Sequence, residues 1–154
     1  MNTNTNKNVI IFYDSELFYI DECINIVKEA GFSVETFISA DDLFDRLKLK
    51  NDDICLIISE LIVEGQGNNF KGRRTDFFAN CALYLFDEID CLSGELSADN
   101  TIKDIPKMVF TSWGHAQGGK FFSEIVSDSR VKTALNKSDT SLKEFIDAVR
   151  QIVK

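Results

Sequence analysis

The sequence has few of the residue types that hold zinc or close disulfide-rich folds. Its 154 residues include one histidine, His115, one proline and four cysteines. The cysteines are scattered, with no Cys-x-x-Cys pair, at Cys23, Cys55, Cys81 and Cys91. Because zinc ligands usually come in closely spaced pairs, we expect no metal held by cysteine, and reduced thiols in or near the core rather than disulfides.

The sequence also lacks long apolar runs and an excess of basic residues. The formal net charge is -8, with 17 Lys and Arg against 25 Asp and Glu, so a nucleic-acid partner is not expected. No apolar run approaches the roughly 20 residues of a membrane helix, and residues 1–8 lack the apolar stretch of a secretory signal. We therefore expect a flexible tail over 1–8, a single domain over 9–154, no membrane insertion and a cytoplasmic location.

What the sequence does contain is a regular alternation of apolar runs and amphipathic segments. The apolar runs predict strands at 9–13, 32–38, 54–63, 107–111 and 131–135. Between and after them, three- and four-residue spacing predicts helices from Asp14 to Gly31 and over 40–50, 77–92, 120–126 and 142–153. Ser39 and Ser138 are predicted to cap the second and last helices.

Strict alternation of strands and helices predicts a doubly wound α/β fold with a parallel sheet. In such a fold, ligand chemistry belongs at the carboxyl ends of the strands. The polar residues predicted at those ends are Asp14, Ser15, Glu60, Thr111, Ser112, Asn136 and Lys137.

The order of these residues resembles the receiver domains of response regulators, which are flavodoxin-like signalling modules. The resemblance covers residues 9–153 and is carried by four pieces of sequence: Tyr13-Asp14-Ser15-Glu16, Ser59-Glu60-Leu61-Ile62-Val63, Phe110-Thr111-Ser112 and Leu135-Asn136-Lys137-Ser138. It implies a five-stranded parallel sheet in the order 2-1-3-4-5, with helices on both faces.

The resemblance also implies a chemistry for the strand ends. In receiver domains, two acids after the first strand hold a divalent cation beside a phosphoacceptor Asp that follows the third strand. The family's Thr, here Thr111, bonds a phosphoryl oxygen, and its Lys, here Lys137, bridges to the phosphate or to the carboxylate. A hard cation needs oxygen ligands, and phosphoryl transfer needs its developing negative charge neutralised.

This sequence departs from the family pattern at the positions that matter most. Glu60 stands at the phosphoacceptor position, one methylene longer than Asp, and Ser15 replaces one metal-binding acid, which leaves Asp14 as a weak magnesium ligand. Ala134 stands at the switch position, where the family often has an aromatic ring, and Ser138 replaces the usual Pro. We therefore expect an atypical receiver, not an enzyme, that signals without conventional aspartyl phosphorylation.

The pocket residues leave several interpretations open. Lys137, Glu60 and Asp14 could be a partly buried ion-pair cluster inherited with the fold, or Glu60 paired with Lys137 could imitate the phosphorylated state permanently. Alternatives are a phosphorylatable regulator with a variant site and a flavodoxin-like domain that binds a small ligand. We expect no cofactor, and at most weak binding of magnesium.

The resemblance implies a protein partner. The candidates are a histidine kinase, another regulator, an output protein or a second copy of this chain. We expect the partner to bind the surface formed by the fourth helix, the fifth strand and the last helix. We expect no output domain after Lys154 and therefore expect any effect to pass through that partner. The loops at 64–74 and 93–104 are long for the family and are expected to hold specificity.

Overall fold

The computed structural model describes residues 6–61, 81–98, 100–112 and 119–154. The predictions made for the start of the tail at 1–5, for the loop at 64–74 and for the start of the third helix at 77–80 lie outside the described residues.

The described part of the chain forms one parallel sheet. Its strands are β1 (Val9–Tyr13), β2 (Ser33–Phe37), β3 (Ile54–Ser59), β4 (Lys107–Thr111) and β5 (Val131–Asn136). They are paired in the order β2-β1-β3-β4-β5, and each pair is parallel. The predicted fold class and strand order are confirmed. Every residue of β1, β3 and β4 is buried, which explains their continuous apolar runs.

Helices cover both faces of this sheet. They are α1 (Asp21–Glu29), α2 (Ala40–Leu49), α3 (Cys81–Glu95), α4 (Gly119–Val126) and α5 (Leu142–Ile152), with 3-10 turns at Leu17–Ile20 and Ile102–Asp104. One face packs on α2, α3 and α4 through residues such as Leu43, Leu85 and Ile125. The other face packs on α1 and α5 through Val27 and Phe145.

Two helix ends match the sequence prediction. The Ser39 hydroxyl accepts a hydrogen bond from the Asp42 N–H at 3.4 Å and caps α2. Gly31 follows α1 with a φ of 99°, a left-handed conformation that favours glycine.

Several boundaries differ from the prediction. The first helical segment, expected from Asp14, begins as the 3-10 turn at Leu17–Ile20 and becomes α1 only at Asp21. The third strand ends at Ser59 rather than at residue 63, because the chain leaves the sheet at Glu60 and the Leu61 carbonyl accepts from the Cys81 N–H at 2.9 Å. Leu61 stays buried there, so hydropathy alone could not separate this turn from the strand. The third helix runs past 92 to Glu95, and the Asn100 side chain donates to the Ser93 carbonyl at 2.8 Å beside the helix end. The loop predicted at 93–104 is correspondingly shorter.

The cap of the last helix also differs from the prediction. Ser141, not Ser138, caps α5, and its hydroxyl accepts from the Glu144 N–H at 3.1 Å. Ser138 instead donates its hydroxyl to the Asn136 side chain at 2.6 Å, within the turn that precedes the helix. Both serines lie shortly before the apolar residues that define α5. The length of the preceding turn determines which serine caps the helix, and the sequence does not show that length.

The four cysteines are free thiols. Cys23, Cys55 and Cys81 are buried, in line with the prediction, whereas Cys91 is exposed. Among the described helices, none combines the length and the apolar character that a bilayer-spanning segment requires.

Candidate functional site

The candidate site is built from the carboxyl ends of four strands. Asp14 and Glu60 directly follow β1 and β3, Thr111 is the last residue of β4, and Lys137 directly follows β5. Backbone hydrogen bonds tie neighbouring ends together: the Glu60 N–H donates to the Tyr13 carbonyl at 2.9 Å, and the Lys137 N–H donates to the Thr111 carbonyl at 2.7 Å. The parallel sheet therefore fixes the side chains of Asp14, Glu60, Thr111 and Lys137 at one edge, and we call these four residues the strand-end cluster.

Lys137 stands between the two carboxylates. Its Nζ lies 2.6 Å from Asp14 Oδ2 and 2.9 Å from Glu60 Oε2. The side chains of Lys137, Asp14 and Glu60 are only 12%, 4% and 3% exposed. Removal from water is costly for each charge, so each needs the others.

The Glu60 carboxylate accepts hydrogen bonds from three groups besides Lys137. Its Oε1 accepts from the Leu61 N–H at 2.6 Å, and its Oε2 accepts from the Ser112 N–H at 3.3 Å. The Thr111 hydroxyl also hydrogen-bonds this carboxylate. Two backbone amides, a hydroxyl and an ammonium form a donor set suited to one compact anion.

Asp14 also stabilises the backbone turn that follows β1. Its Oδ1 accepts from the Glu16 N–H at 2.8 Å, which shapes the turn between β1 and the 3-10 turn at Leu17–Ile20. Both oxygens of Asp14 are thus engaged, one by the turn and one by Lys137.

The ionisation of the cluster follows from burial and charge. Burial raises the pKa of Glu60, while the charge of Lys137 and the Thr111 hydrogen bond oppose that rise. For Lys137, burial disfavours the charged form, but Glu60 and Asp14 outweigh it and raise the pKa of the ammonium. Lys137 therefore stays protonated at neutral pH.

The receiver resemblance implies magnesium, and the residues present do not fit it well. The described part of the chain holds no group of three or more His, Cys, Asp or Glu side chains that could bind a metal ion. Magnesium needs near-octahedral oxygen ligands and gives up its water reluctantly. Asp14 and Glu60 direct an oxygen each to the Lys137 ammonium, so that ammonium is the cation they share.

The structure also describes two further residues predicted for the site. Ser15 is half-buried and directly follows Asp14. Ala134 lies in β5 opposite Val109 of β4, where it is half-buried and packs against the core cluster under α2, α3 and α4. A methyl group at this position cannot swing between an inward and an outward orientation as a ring can.

Sequence reasoning missed two parts of the site. It chose Ser112 as a polar side chain, whereas the contact to Glu60 comes from the Ser112 backbone N–H, which any residue except proline supplies. It also overlooked an open cleft of about 410 Å³ beside the cluster, lined by Glu16, Tyr19, Ser112, Lys137 and Ser138. Nothing in the sequence signalled this cleft, because Phe18 and Tyr19 stand between the apolar residues Leu17 and Ile20 and look like core residues.

Comparison with known proteins gives structural matches alone. No family model and no curated protein matches the sequence. The fold is similar to the signal receiver domain of an HD domain-containing protein from Pseudomonas fluorescens Pf-5, with 13% identity, a TM-score of 0.63, and coverage of 95% of this chain and 94% of that one.

Two further solved structures agree. The receiver domain of NtrX from Brucella abortus has 15% identity, a TM-score of 0.63, and coverage of 94% of this chain and 97% of that one. A DNA-binding response regulator of the LuxR family from Staphylococcus aureus has 15% identity, a TM-score of 0.62, and coverage of 96% and 99%. The chain therefore has the receiver-domain fold of response regulators.

Proposed function

We propose that this chain is an atypical receiver module of two-component signalling that acts through protein contact and without conventional aspartyl phosphorylation. The receiver fold supports the signalling class, and the strand-end cluster supports the atypical character. The proposal makes the chain a signalling component rather than an enzyme.

The observation that carries the proposal is the engagement of the Glu60 carboxylate. Two backbone N–H groups, the Thr111 hydroxyl and the Lys137 ammonium all reach it. Thr and Lys at these positions serve the phosphoryl group in the receiver family. Here the donors already hold an anion that is part of the chain, so Glu60 acts as a built-in substitute for the phosphorylated side chain.

The same engagement opposes phosphoryl transfer to Glu60. In-line attack requires a carboxylate oxygen aligned with the phosphorus, and transition-state charge must be neutralised by a metal ion. Both Glu60 oxygens are occupied by donors, and the side chain is 3% exposed. Ser15 supplies no second carboxylate for a cation.

A protein partner is supported by the surface formed by α4, β5 and α5. β5 is an edge strand of the described sheet, and Val126 and Leu142 on the flanking helices are 57% and 38% exposed. Exposed apolar side chains beside a sheet edge are typical of a contact surface. We propose that a histidine kinase, another regulator, an output protein or a second copy of this chain docks here.

The test is incubation of the full chain with acetyl phosphate and magnesium, followed by intact-mass spectrometry. The expected result is no phosphoryl adduct. A Ser15→Asp/Glu60→Asp variant, which places Asp at both positions, serves as the positive control and is expected to gain a phosphoryl adduct that hydroxylamine removes. An adduct on the wild-type chain that disappears in Glu60→Gln would support the phosphorylatable alternative instead.

The cleft of about 410 Å³ supports a second candidate function, the binding of a small ligand at the same strand ends. Native mass spectrometry of the purified chain distinguishes the two. Ser112→Tyr places a ring in the cleft. A small molecule that co-purifies with the wild type and not with Ser112→Tyr would favour ligand binding.

A further inference from the structure

Two adjacent aromatic side chains on the 3-10 turn at Leu17–Ile20 project into solvent. Phe18 is 88% exposed and Tyr19 is 76% exposed. Their rings contact each other edge to face, with centroids 5.9 Å apart. An exposed aromatic pair leaves a large apolar area in water, which marks a contact site far more often than a single exposed apolar residue does.

The turn that carries the pair is firmly anchored. Ile20 is 1% exposed, and Leu17 packs against the same core cluster beside α1. The Tyr19 N–H donates to the Glu16 carbonyl at 3.0 Å, and the Glu16 N–H in turn donates to Asp14 at 2.8 Å. The exposure of Phe18 and Tyr19 is therefore a property of a defined backbone turn that begins at the strand-end cluster.

The surroundings of the pair are acidic. Glu16, Asp21 and Glu22 are all exposed, and residues 14–27 contain four acids and no Lys or Arg. The whole chain has a formal net charge of -8. A second copy of this chain and a nucleic acid would each bring further negative charge to this surface, whereas a basic protein segment would be attracted to it.

We infer that Phe18 and Tyr19, with the flanking carboxylates Glu16, Asp21 and Glu22, form a docking surface for a basic protein segment. The segment would place an aliphatic or aromatic side chain against the two rings and Lys or Arg side chains against the acids. Because Tyr19 also borders the cleft that contains Lys137, a bound segment would lie beside the strand-end cluster. This surface rests on the proposed function only in that both require a protein partner, and it is separate from the surface formed by α4, β5 and α5.

The experiment selects binders from a display library of random peptides on the immobilised full chain, then measures their affinity by titration. The expected peptides combine Lys or Arg with an aliphatic or aromatic residue, and their affinity falls as salt is raised. Phe18→Ala/Tyr19→Ala is expected to weaken binding by about 10-fold or more, as loss of an aromatic anchor does. Leu49→Ala is the matched control, since Leu49 is 86% exposed at the end of α2, and it should leave affinity unchanged.

Amide NMR of the chain with the best peptide should show its largest shifts at residues 15–22. Peptides without basic residues, equal affinity for the double variant, or shifts centred elsewhere would overturn the inference. So would sedimentation showing that the chain pairs with itself through these rings. None of these results depends on Glu60, so the inference and the proposed lack of phosphorylation fail separately.

Discussion

Replacing Lys137 with Met removes the one cation in the strand-end cluster and keeps most of the side-chain volume. Lys137 contacts Asp14 at 2.6 Å and Glu60 at 2.9 Å, and all three side chains are at most 12% exposed. Breaking a buried ion pair from one side typically costs about 3–5 kcal/mol, because the remaining charge is left without a partner. We expect a loss in that range at neutral pH, out of a total stability of roughly 5–15 kcal/mol.

The loss should become smaller in acid. Burial already raises the pKa of Glu60 in the folded chain, and removing Lys137 takes away the main opposing charge. A carboxyl group whose folded pKa lies above its unfolded value of about 4.3 binds a proton more readily in the fold, so its burial becomes less unfavourable as pH falls through the folded pKa. Urea unfolding followed by circular dichroism, at about pH 7 and about pH 5, measures both effects.

An exposed pair of the same length provides the matched control. Lys143 Nζ also lies 2.6 Å from a carboxylate, that of Asp147, but these side chains are 85% and 52% exposed. Lys143→Met should therefore leave unfolding unchanged within error. The double variant Glu60→Gln/Lys137→Met should regain part of the stability lost by Lys137→Met. A loss below about 1 kcal/mol for Lys137→Met, or a loss independent of pH, would refute the reasoning about buried charge.

Three further predictions concern the scaffold. Ser141→Ala should cost about 1 kcal/mol in urea unfolding as α5 loses its cap, whereas Ser138→Ala should cost clearly less; equal losses would contradict the cap assignment. Burial lowers the pKa of Lys107, so stability should rise with pH up to the unfolded lysine value of about 10.4; Lys107→Met should abolish that rise in urea midpoints, and an unchanged pH profile would exclude Lys107 as its source. Exposed Cys91 should react with a thiol reagent well before Cys23, which is buried and has a pKa raised by burial to about 11; equal rates by mass spectrometry would contradict the burial of Cys23.

The fold could be predicted from the sequence because local pattern and global topology agree. Continuous apolar runs such as the one in β1 identify strands buried on both faces, and right-handed crossovers leave few ways to arrange them. The end of β3 could not be predicted, because Leu61 is equally apolar in a strand and in a buried turn. The prediction of the α5 cap was wrong for a related reason, since Ser138 and Ser141 have the same side chain and both precede the helix.

The candidate site was predictable in its side chains and not in its backbone. The positions of Asp14, Glu60, Thr111 and Lys137 follow from counting residues at strand ends. The Leu61 and Ser112 N–H groups that donate to Glu60 could not be predicted from residue types, since almost every residue has a backbone N–H group. The exposure of Phe18 and Tyr19 was equally hidden, because aromatic residues near an apolar run are normally read as core.

The most direct test of the claim that Glu60 substitutes for a phosphorylated side chain is an amide NMR comparison of the wild type with Glu60→Gln. Loss of the carboxylate charge should release Lys137 and Thr111, so shifts should extend beyond the pocket to β5 and to the exposed surface formed by α4, β5 and α5. Glu88→Gln, at a buried glutamate on α3, is the matched control and should shift its own surroundings. Shifts for Glu60→Gln that stop at the residues in contact with it would contradict the account.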